Sequence, residues 1–315
     1  MRKDSQRGFT LLTLLVGMTI VILLGSTTFL VTRQIFTNRD LTEARLALTR
    51  QNLQNVGGNI TALINPGQSL QIETWWLRYA LVAAYGDVSI SGSAEIKSEP
   101  LAGQANIYAA GNTRITGSPL VDGTITAAGS ISKGGGATVT GAMWPYFPWP
   151  LVFPSDQEIT VMTQQYLAEA QAGGTFSGDK TCDGSGTYEL GPLHITGRLI
   201  VKDSARVKLT GTVYVGGEIT MSGTASIEGP GNLVAVDNIK LTGSGRLPLE
   251  NIPLIMSVSG GIDLAGSSEI TALSFAPRGT IKFSPGATVY GAALGKDIDF
   301  SGPPRLVFTY PFTPR

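Results

Sequence analysis

A five-residue pattern recurs through the C-terminal part of the chain and restricts the folds open to it. The pattern is an isoleucine, any residue, a large apolar residue, then usually Ser, Thr or Ala and a glycine. It begins at Ile219, Ile239, Ile262, Ile281 and Ile298, at intervals of 20, 23, 19 and 17 residues. A period near 20 that contains several alternating segments is typical of a β-solenoid. Two further apolar segments in each period predict three strands per coil, and therefore a triangular solenoid.

The composition agrees with short strands joined by tight turns. Glycine supplies 40 of the 315 residues, and charged residues make up only 15% while hydrophobic residues make up 42%. Because glycine tolerates positive φ, we expect it at the corners of the coils. The 23 Lys and Arg residues balance the 23 Asp and Glu residues, so the protein has no net positive charge that would attract nucleic acid.

The remaining segments are assigned from their own patterns. Residues 9–32 carry no charge, and a helix of this length can span a bilayer. Apolar residues then recur with helical spacing to about residue 64. The words NIYAAG at 106 and TITAAG at 124 indicate a second, smaller array of coils. Ser155 followed by Glu158 predicts a capping box that opens a short helix.

These patterns predict a mainly β fold class. It consists of a long N-terminal transmembrane α-helix followed by a triangular β-solenoid, or β-helix, with a short inserted helix. The predicted segments are a leader over 1–8, a transmembrane and stalk helix over 9–64, a bridge over 65–86, a first β-helical array over 87–143, a Pro/aromatic loop and capping helix over 144–190, and the main β-helix over 191–315.

The junction at Gly8 and Phe9 resembles the type IV prepilin signal. It follows a basic leader containing Arg2, Lys3 and Arg7 and precedes the uncharged run. The resemblance implies that a prepilin peptidase cuts between Gly8 and Phe9 and that the new N-terminal phenylalanine is methylated. It also implies a cytoplasmic leader, a single-pass anchor in the inner membrane and an extracytoplasmic body, which is extracellular if the chain enters a filament. A plain signal anchor is the alternative.

The sequence departs from that family at Thr13, where prepilins usually have a glutamate. In the family this glutamate pairs with the N-terminal amine of a neighbouring subunit. The resemblance therefore implies that Thr13 marks a filament-assembly position and favours a minor or initiating subunit over a major pilin. The expected partners are the peptidase, other pilin or pseudopilin subunits and the membrane.

The residues between the inward Ile and Leu of each repeat are expected to face outward. In the last four repeats they are Lys240, Asp263, Lys282 and Asp299. With coils stacked about 4.8 Å apart, these side chains form a ladder of alternating charge up one face. We interpret the ladder as fixing register and preserving solubility; a ligand-binding stripe is the alternative.

An aromatic and proline-rich segment, MWPYFPWPLVFP, separates the two arrays. Its prolines exclude an interior strand. It could cap a strand edge or pack against the side of the solenoid. Alternatively, Trp144, Tyr146 and Trp149 could form a platform that binds a surface glycan or a protein.

The sequence offers little enzyme chemistry. One histidine, His194, and one cysteine, Cys182, exclude two-histidine metal motifs and cysteine-rich zinc sites. Asp179, Asp183 and Glu189 lack the order of a calcium loop. We expect no catalytic residues, no metal and no cofactor.

The body resembles the bactofilin-like β-helical region of some PilX-type pilus assembly proteins. The resemblance rests on the words GTVYVGG at 211, LSFAP at 273 and VYGAA at 289. Together with the leader it implies a non-enzymatic, minor pilin-like assembly protein that displays a rigid β-helix at the cell surface or filament tip. The main alternative is a membrane-anchored β-helix protein that binds or cleaves carbohydrate. A third is a scaffold that polymerises through its coils, which the expected export disfavours.

Overall fold

Parallel strands of two to five residues, and two longer ones, wind through the molecule as a β-solenoid. The computed structural model describes residues 79–99, 102–148, 153–243, 246–247 and 254–309. All 27 strands of this part belong to one sheet, and each strand pairs with the strand one coil away. The predicted solenoid is therefore confirmed, with about ten coils.

The first array contains ten strands. They are β1 Leu81–Ala83, β2 Val88–Ile90, β3 Glu95–Glu99, β4 Ile107–Ala109, β5 Thr113–Ile115, β6 Leu120–Val121, β7 Ile125–Ala127, β8 Ile131–Lys133, β9 Thr138–Val139 and β10 Met143–Trp144. Helix α1, Asp156–Ala172, follows this array.

The second array contains seventeen strands. They are β11 Thr175–Phe176, β12 Lys180–Cys182, β13 Thr187–Leu190, β14 Leu193–Ile195, β15 Leu199–Val201, β16 Arg206–Leu209, β17 Val213–Val215, β18 Ile219–Met221, β19 Ser226–Glu228, β20 Leu233–Ala235, β21 Ile239–Leu241, β22 Arg246–Leu247, β23 Leu254–Ser257, β24 Ile262–Leu264, β25 Glu269–Phe283, β26 Thr288–Phe300 and β27 Arg305–Thr309. The first coil of the second array thus begins at Thr175, inside the segment 144–190 that the sequence analysis assigned to the loop and capping helix.

The recurring isoleucines lie directly above one another. Ile219 pairs in register with Ile239, and the ladder continues through Ile262 and Ile281 to Ile298. All five are buried, at 0–1% exposure, because alternate residues of a strand point to the same side and the interior side is apolar. The sequence period therefore sets both the coil length and the register.

One corner of the coil explains part of the glycine content. Gly223, Gly243, Gly266 and Gly286 occupy this corner in successive coils, with φ between 73° and 93°. Asp203 takes the same corner one coil earlier, with φ 63°. A side chain in this left-handed region is strained, so glycine is the residue most easily accommodated there.

The two arrays are stacked end to end, with the C-terminal coil of the second array against the N-terminal coil of the first. The last coil of the second array pairs with the first coil of the first array: β26 with β1 and β2, and β27 with β3. We call this junction the seam. Leu81 lies opposite Ala293, and Ile90 lies opposite Phe300. The core therefore runs without interruption from one array into the other.

Helix α1 packs on the outside of one face of the solenoid. The Ser155 hydroxyl accepts a hydrogen bond from the Glu158 amide, and the Glu158 carboxylate accepts one from the Ser155 amide. These two bonds confirm the predicted capping box. The helix buries Ile159, Tyr166 and Ala170 and lies against β14 and β17. An ion pair of 2.9 Å between Arg278 and Asp156 holds its first turn. The prediction of a short inserted helix is thus confirmed.

The predicted fold class is wrong in its other helical part. Within the described residues no helix is long and apolar enough to cross a membrane, and the helix beside the solenoid has 17 residues. The segment assigned to the transmembrane helix, 9–64, lies outside the described residues. That assignment depended on the length of an uncharged run. The fold class is mainly β, a solenoid with one short helix.

Candidate functional site

The charged residues singled out in the repeats line one side of the solenoid. We call it the charged face, formed by β12, β15, β18, β21, β24, residues 281–283 and 298–300, β2, β5 and β8. Lys240 pairs in register with Asp263, Asp263 with Lys282, and Lys282 with Asp299. Across the seam, Asp299 pairs with Ser89. The stack therefore alternates in charge over four coils.

The stack does not form a chain of direct ion pairs. The Lys240 ammonium lies 3.2 Å from the Glu218 carboxylate rather than contacting Asp263. None of the ion pairs in the described part of the chain joins Asp263, Lys282 or Asp299 to one another. One carboxylate oxygen of Asp263 is buried without a hydrogen-bond partner. Any attraction between the charges of this stack therefore acts between neighbouring coils without direct contact between Asp263, Lys282 and Asp299.

A tighter ion pair lies at the corner beside the charged face. The Arg198 guanidinium donates from Nε and Nη2 to Oδ2 of Asp179, at 3.1 and 2.7 Å, and the Arg198 amide donates to Oδ1 at 2.8 Å. These bonds hold the pKa of Asp179 below its ordinary value. Because both side chains are largely exposed, the pair contributes little to stability. It joins corners of the first two coils of the second array.

The aromatic residues of the proline-rich segment lie at the far end of the first array. Trp144 is 57% exposed and Tyr146 is 71% exposed, beside Met143 at 41%. Trp149, the third member of the predicted platform, lies outside the described residues. Met143 continues the inward row above Ile125, whereas Trp144 stands above Thr126 on the outer row. The strand therefore places these two neighbouring side chains on opposite sides.

The backbone turns back on itself at Tyr146, which has φ 53°. The Tyr146 amide donates to the Gly129 carbonyl at 2.8 Å and the Phe147 amide donates to the Ala127 carbonyl at 2.9 Å. A non-glycine residue in this conformation is strained and persists where its surroundings fix it. The arrangement holds the exposed Tyr146 ring on a fixed turn at the edge of the last coil.

The prepilin-like residues Gly8, Phe9 and Thr13 lie outside the described residues. Two of the residues considered for enzyme chemistry, Cys182 and His194, lie in strands β12 and β14 of the second array. Burial raises the pKa of the Cys182 thiol above its ordinary value, and the His194 ring makes an edge contact with Tyr214 at 5.8 Å between centroids. No group of three metal-ligating side chains occurs in the part of the chain that the structure describes.

A charged cluster at the seam was not foreseen from the sequence. The guanidinium of Arg305 lies 3.2 Å from Glu95 and 3.8 Å from Glu99, and Lys97 also contacts Glu95. Arg305 and Glu95 are opposite each other in the β27–β3 ladder. No local pattern could reveal this cluster, because its members come from opposite ends of the described chain and meet only through the stacking of the arrays.

Comparison with known proteins places the second array in a family. Residues 153–311, which include α1 and every strand from β11 to β27, match the family described as a domain of unknown function, DUF7305. The chain belongs to this family. The matched region ends two residues beyond β27, so the family domain coincides with α1 and the second array, while the first array precedes it.

Other comparisons add only a distant likeness. No curated protein matches the sequence. Among solved structures, an ice-binding protein from the Antarctic ascomycete Antarctomyces psychrotrophicus is similar over 72% of this chain and 93% of that chain, at 16% identity and a TM-score of 0.30.

Proposed function

We propose that this chain is a non-enzymatic, minor pilin-like assembly protein that displays its solenoid outside the cytoplasm. The observation that carries the proposal is the Gly8-Phe9 junction behind a basic leader, in the same chain as a solenoid. A prepilin peptidase cuts this junction, and the segment that follows associates with other pilin or pseudopilin subunits. Thr13, in place of the usual glutamate, suits a minor or initiating subunit.

The solenoid supports this role through its mechanical character. Interior strands are hydrogen-bonded on both sides, and the core is continuous across the seam. Ten coils at about 4.8 Å each give a rod about 50 Å long. A rod of this kind can hold its two ends at a constant distance from each other.

Mass spectrometry of the mature N-terminus tests the proposal. The full chain is produced with a prepilin peptidase, alongside Gly8→Val and the matched control Gly25→Val. The proposal predicts a chain that begins at a methylated Phe9 for the parent and for Gly25→Val, and uncut chain for Gly8→Val. An intact Met1 in the parent, with a known prepilin cut in the same cells, would overturn it.

A second candidate function is glycan binding by Trp144 and Tyr146. The observation that favours it is their exposure, 57% and 71%, on a turn fixed by two backbone hydrogen bonds. Aromatic faces of this kind stack against sugar rings. A glycan array should then show binding by the parent that is lost in Trp144→Ala and kept in Val161→Ala, which removes an exposed apolar side chain from α1. Equal loss in both variants, or no binding by the parent, rejects this candidate.

A further inference from the structure

The outward side chains of the charged face form one straight row, with one side chain from each coil. Each is the middle residue of a three-residue stretch, and these stretches pair in register from β12 to β8. None of these outward residues is buried. On the face that carries α1, by contrast, the outward Tyr214 is 6% exposed. Within the described part of the chain, nothing therefore covers the charged face.

The alternating charges lie at the centre of this row. Lys240, Asp263, Lys282 and Asp299 come from the fourth to the seventh of its stretches, so three coils precede them and three follow. Lys240 already contacts Glu218, but the other three make no ion pair among the described residues. The charges are therefore open to a partner whose surface presents the opposite order.

A second copy of this chain presents the opposite order when its long axis is reversed. The row has the signs plus, minus, plus and minus, and the reversed row has minus, plus, minus and plus. In a face-to-face pair related by a two-fold axis through the middle of the row, Lys240 meets Asp299 of the second copy. Asp263 likewise meets Lys282, and the symmetry makes each contact twice. Every charge of the central block thus gains an opposite charge.

The row also distinguishes this arrangement from its neighbours. A reversed copy that is displaced by one coil sets Asp263 against Asp299 and Lys282 against itself, and a copy with parallel axis sets each charge against its own kind. The matched register is also the one in which all ten coils overlap, because the charges are central. The flanking positions add no like-charge contact, since Arg114 lies opposite Ile200 there and the other flanking residues are neutral.

The size of the face indicates a weak complex. Ten coils at about 4.8 Å and three residues at about 3.3 Å give a contact of about 50 by 10 Å, or about 500 Å² on each copy. The total of about 1,000 Å² lies at the lower limit for specific protein interfaces. Such a small, polar contact depends on its charges for register, and salt weakens it.

We propose that the charged face is a self-association surface, on which two copies of this chain pair with their solenoid axes antiparallel through Lys240, Asp263, Lys282 and Asp299. The contact is reversible and favoured at low salt. This inference concerns the solenoid alone and does not depend on processing at Gly8.

Charge reversal and charge exchange test the surface. The full chain is studied in a mild non-ionic detergent, because residues 9–32 carry no charge. Sedimentation at low and high salt, up to about 100 µM protein, measures the dissociation constant. Asp263→Lys is compared with the parent, with the exchange variant Asp263→Lys/Lys282→Asp, and with Lys208→Asp. The last is a matched control, because it reverses an exposed charge on another face, in β16.

The parent and Lys208→Asp should dimerise at low salt and dissociate at high salt. Asp263→Lys sets lysine against Lys282 at two places and should weaken the dimer at least about tenfold. The exchange variant should recover the parental dissociation constant, because its lysine and aspartate meet again across the two-fold axis. Within one chain the exchange instead creates like-charged neighbours, so a role confined to the stack of a single solenoid would predict no recovery.

Zero-length carbodiimide cross-linking of the parent tests the direction without a substitution. Within one chain Lys240 and Asp299 are three coils apart, about 14 Å, so a direct cross-link between them must join two chains. The proposal predicts this cross-link at low salt and its loss at high salt. Far-UV circular dichroism checks folding; if a variant misfolds, the cross-link decides. A monomeric parent, dimers that Asp263→Lys leaves unchanged, a folded exchange variant without recovery, or dimers lacking the cross-link would each overturn the proposal.

Discussion

Substitution of one glycine should weaken the seam specifically. Gly92 lies at the corner between β2 and β3, with φ 79°, directly against Gly302 of the second array. A Cβ atom at Gly92 would lie 2.6 Å from the Gly302 carbonyl oxygen and 2.8 Å from its Cα atom. Because both contacts are with backbone, neither can be relieved by a side-chain rotation. The Gly92→Ala variant should therefore push β2 and β3 away from the last coil of the second array.

A matched control separates this contact from backbone strain. Gly103 has nearly the same φ, 82°, but nothing lies within 4 Å of a Cβ atom built there. Gly103→Ala should cost about 1–2 kcal/mol, the strain of an L residue in the left-handed region. Gly92→Ala should carry that strain and a further 1–3 kcal/mol or so from overpacking, about 2–5 kcal/mol in total.

Two measurements check this expectation. Urea unfolding followed by far-UV circular dichroism gives the difference in the free energy of unfolding between the two variants. Hydrogen exchange with mass spectrometry should show faster exchange in residues 81–99 and 288–309 of Gly92→Ala, and near-parental exchange elsewhere. Equal destabilisation by the two substitutions, or loss of protection spread evenly over the solenoid, would refute the close packing inferred at the seam.

Three smaller perturbations test individual contacts. Lys282→Glu places a third acid between two aspartates and should lower stability by about 0.2–1 kcal/mol at 10 mM salt and by less at 500 mM, measured by thermal unfolding. Ser155→Ala removes the helix cap and should cost about 1 kcal/mol, measured by urea unfolding. Arg198→Gln should raise the pKa of Asp179 towards its ordinary value, measured by NMR titration. The lowered pKa stabilises the fold above the unfolded-state pKa of Asp179. This contribution disappears as the pH falls through the folded-state value, so the variant and the parent should converge in acid.

Each of these expectations has its own control. A salt-independent loss in Lys282→Glu would show that steric effects, and not charge, dominate that stack. Ser177→Ala, outside the helix, should leave stability near that of the parent, and a similar loss there would remove the cap as the explanation. An unchanged Asp179 titration in Arg198→Gln would mean that the guanidinium does not hold the carboxylate in solution.

The repeat was predictable because its information is local. A strand alternates sides with a period of two, so the isoleucine and the apolar residue two positions later must share the interior, and the residue between them must face out. The rows from Ile219 to Ile298 and from Lys240 to Asp299 follow from this rule. The ion-pair partner of Lys240 does not follow from this rule, because it is Glu218, which lies at the corner of the neighbouring coil. Side-chain pairing depends on coil geometry that the period does not specify.

The aromatic segment shows a similar division. Its prolines predict an end to regular pairing, and Pro145 does stand where β10 stops. Whether the rings after it face solvent or core depends on the turn at Tyr146, whose strained φ is stabilised by the carbonyls of Gly129 and Ala127. Those carbonyls belong to the preceding coil, so sequence spacing alone could not assign them.

The sequence by itself determined the solenoid, the length of its coil, the short capped helix and the inward and outward rows, because each is encoded within about twenty consecutive residues. Only the tertiary structure decided that the first array stacks on the last coil of the second. It also decided that Arg305 meets Glu95 and that the charges from Lys240 to Asp299 stand in the middle of the ten coils. Successive coils of a solenoid present similar edges, so local sequence cannot say which edges meet. That choice is made by contacts between residues more than two hundred positions apart.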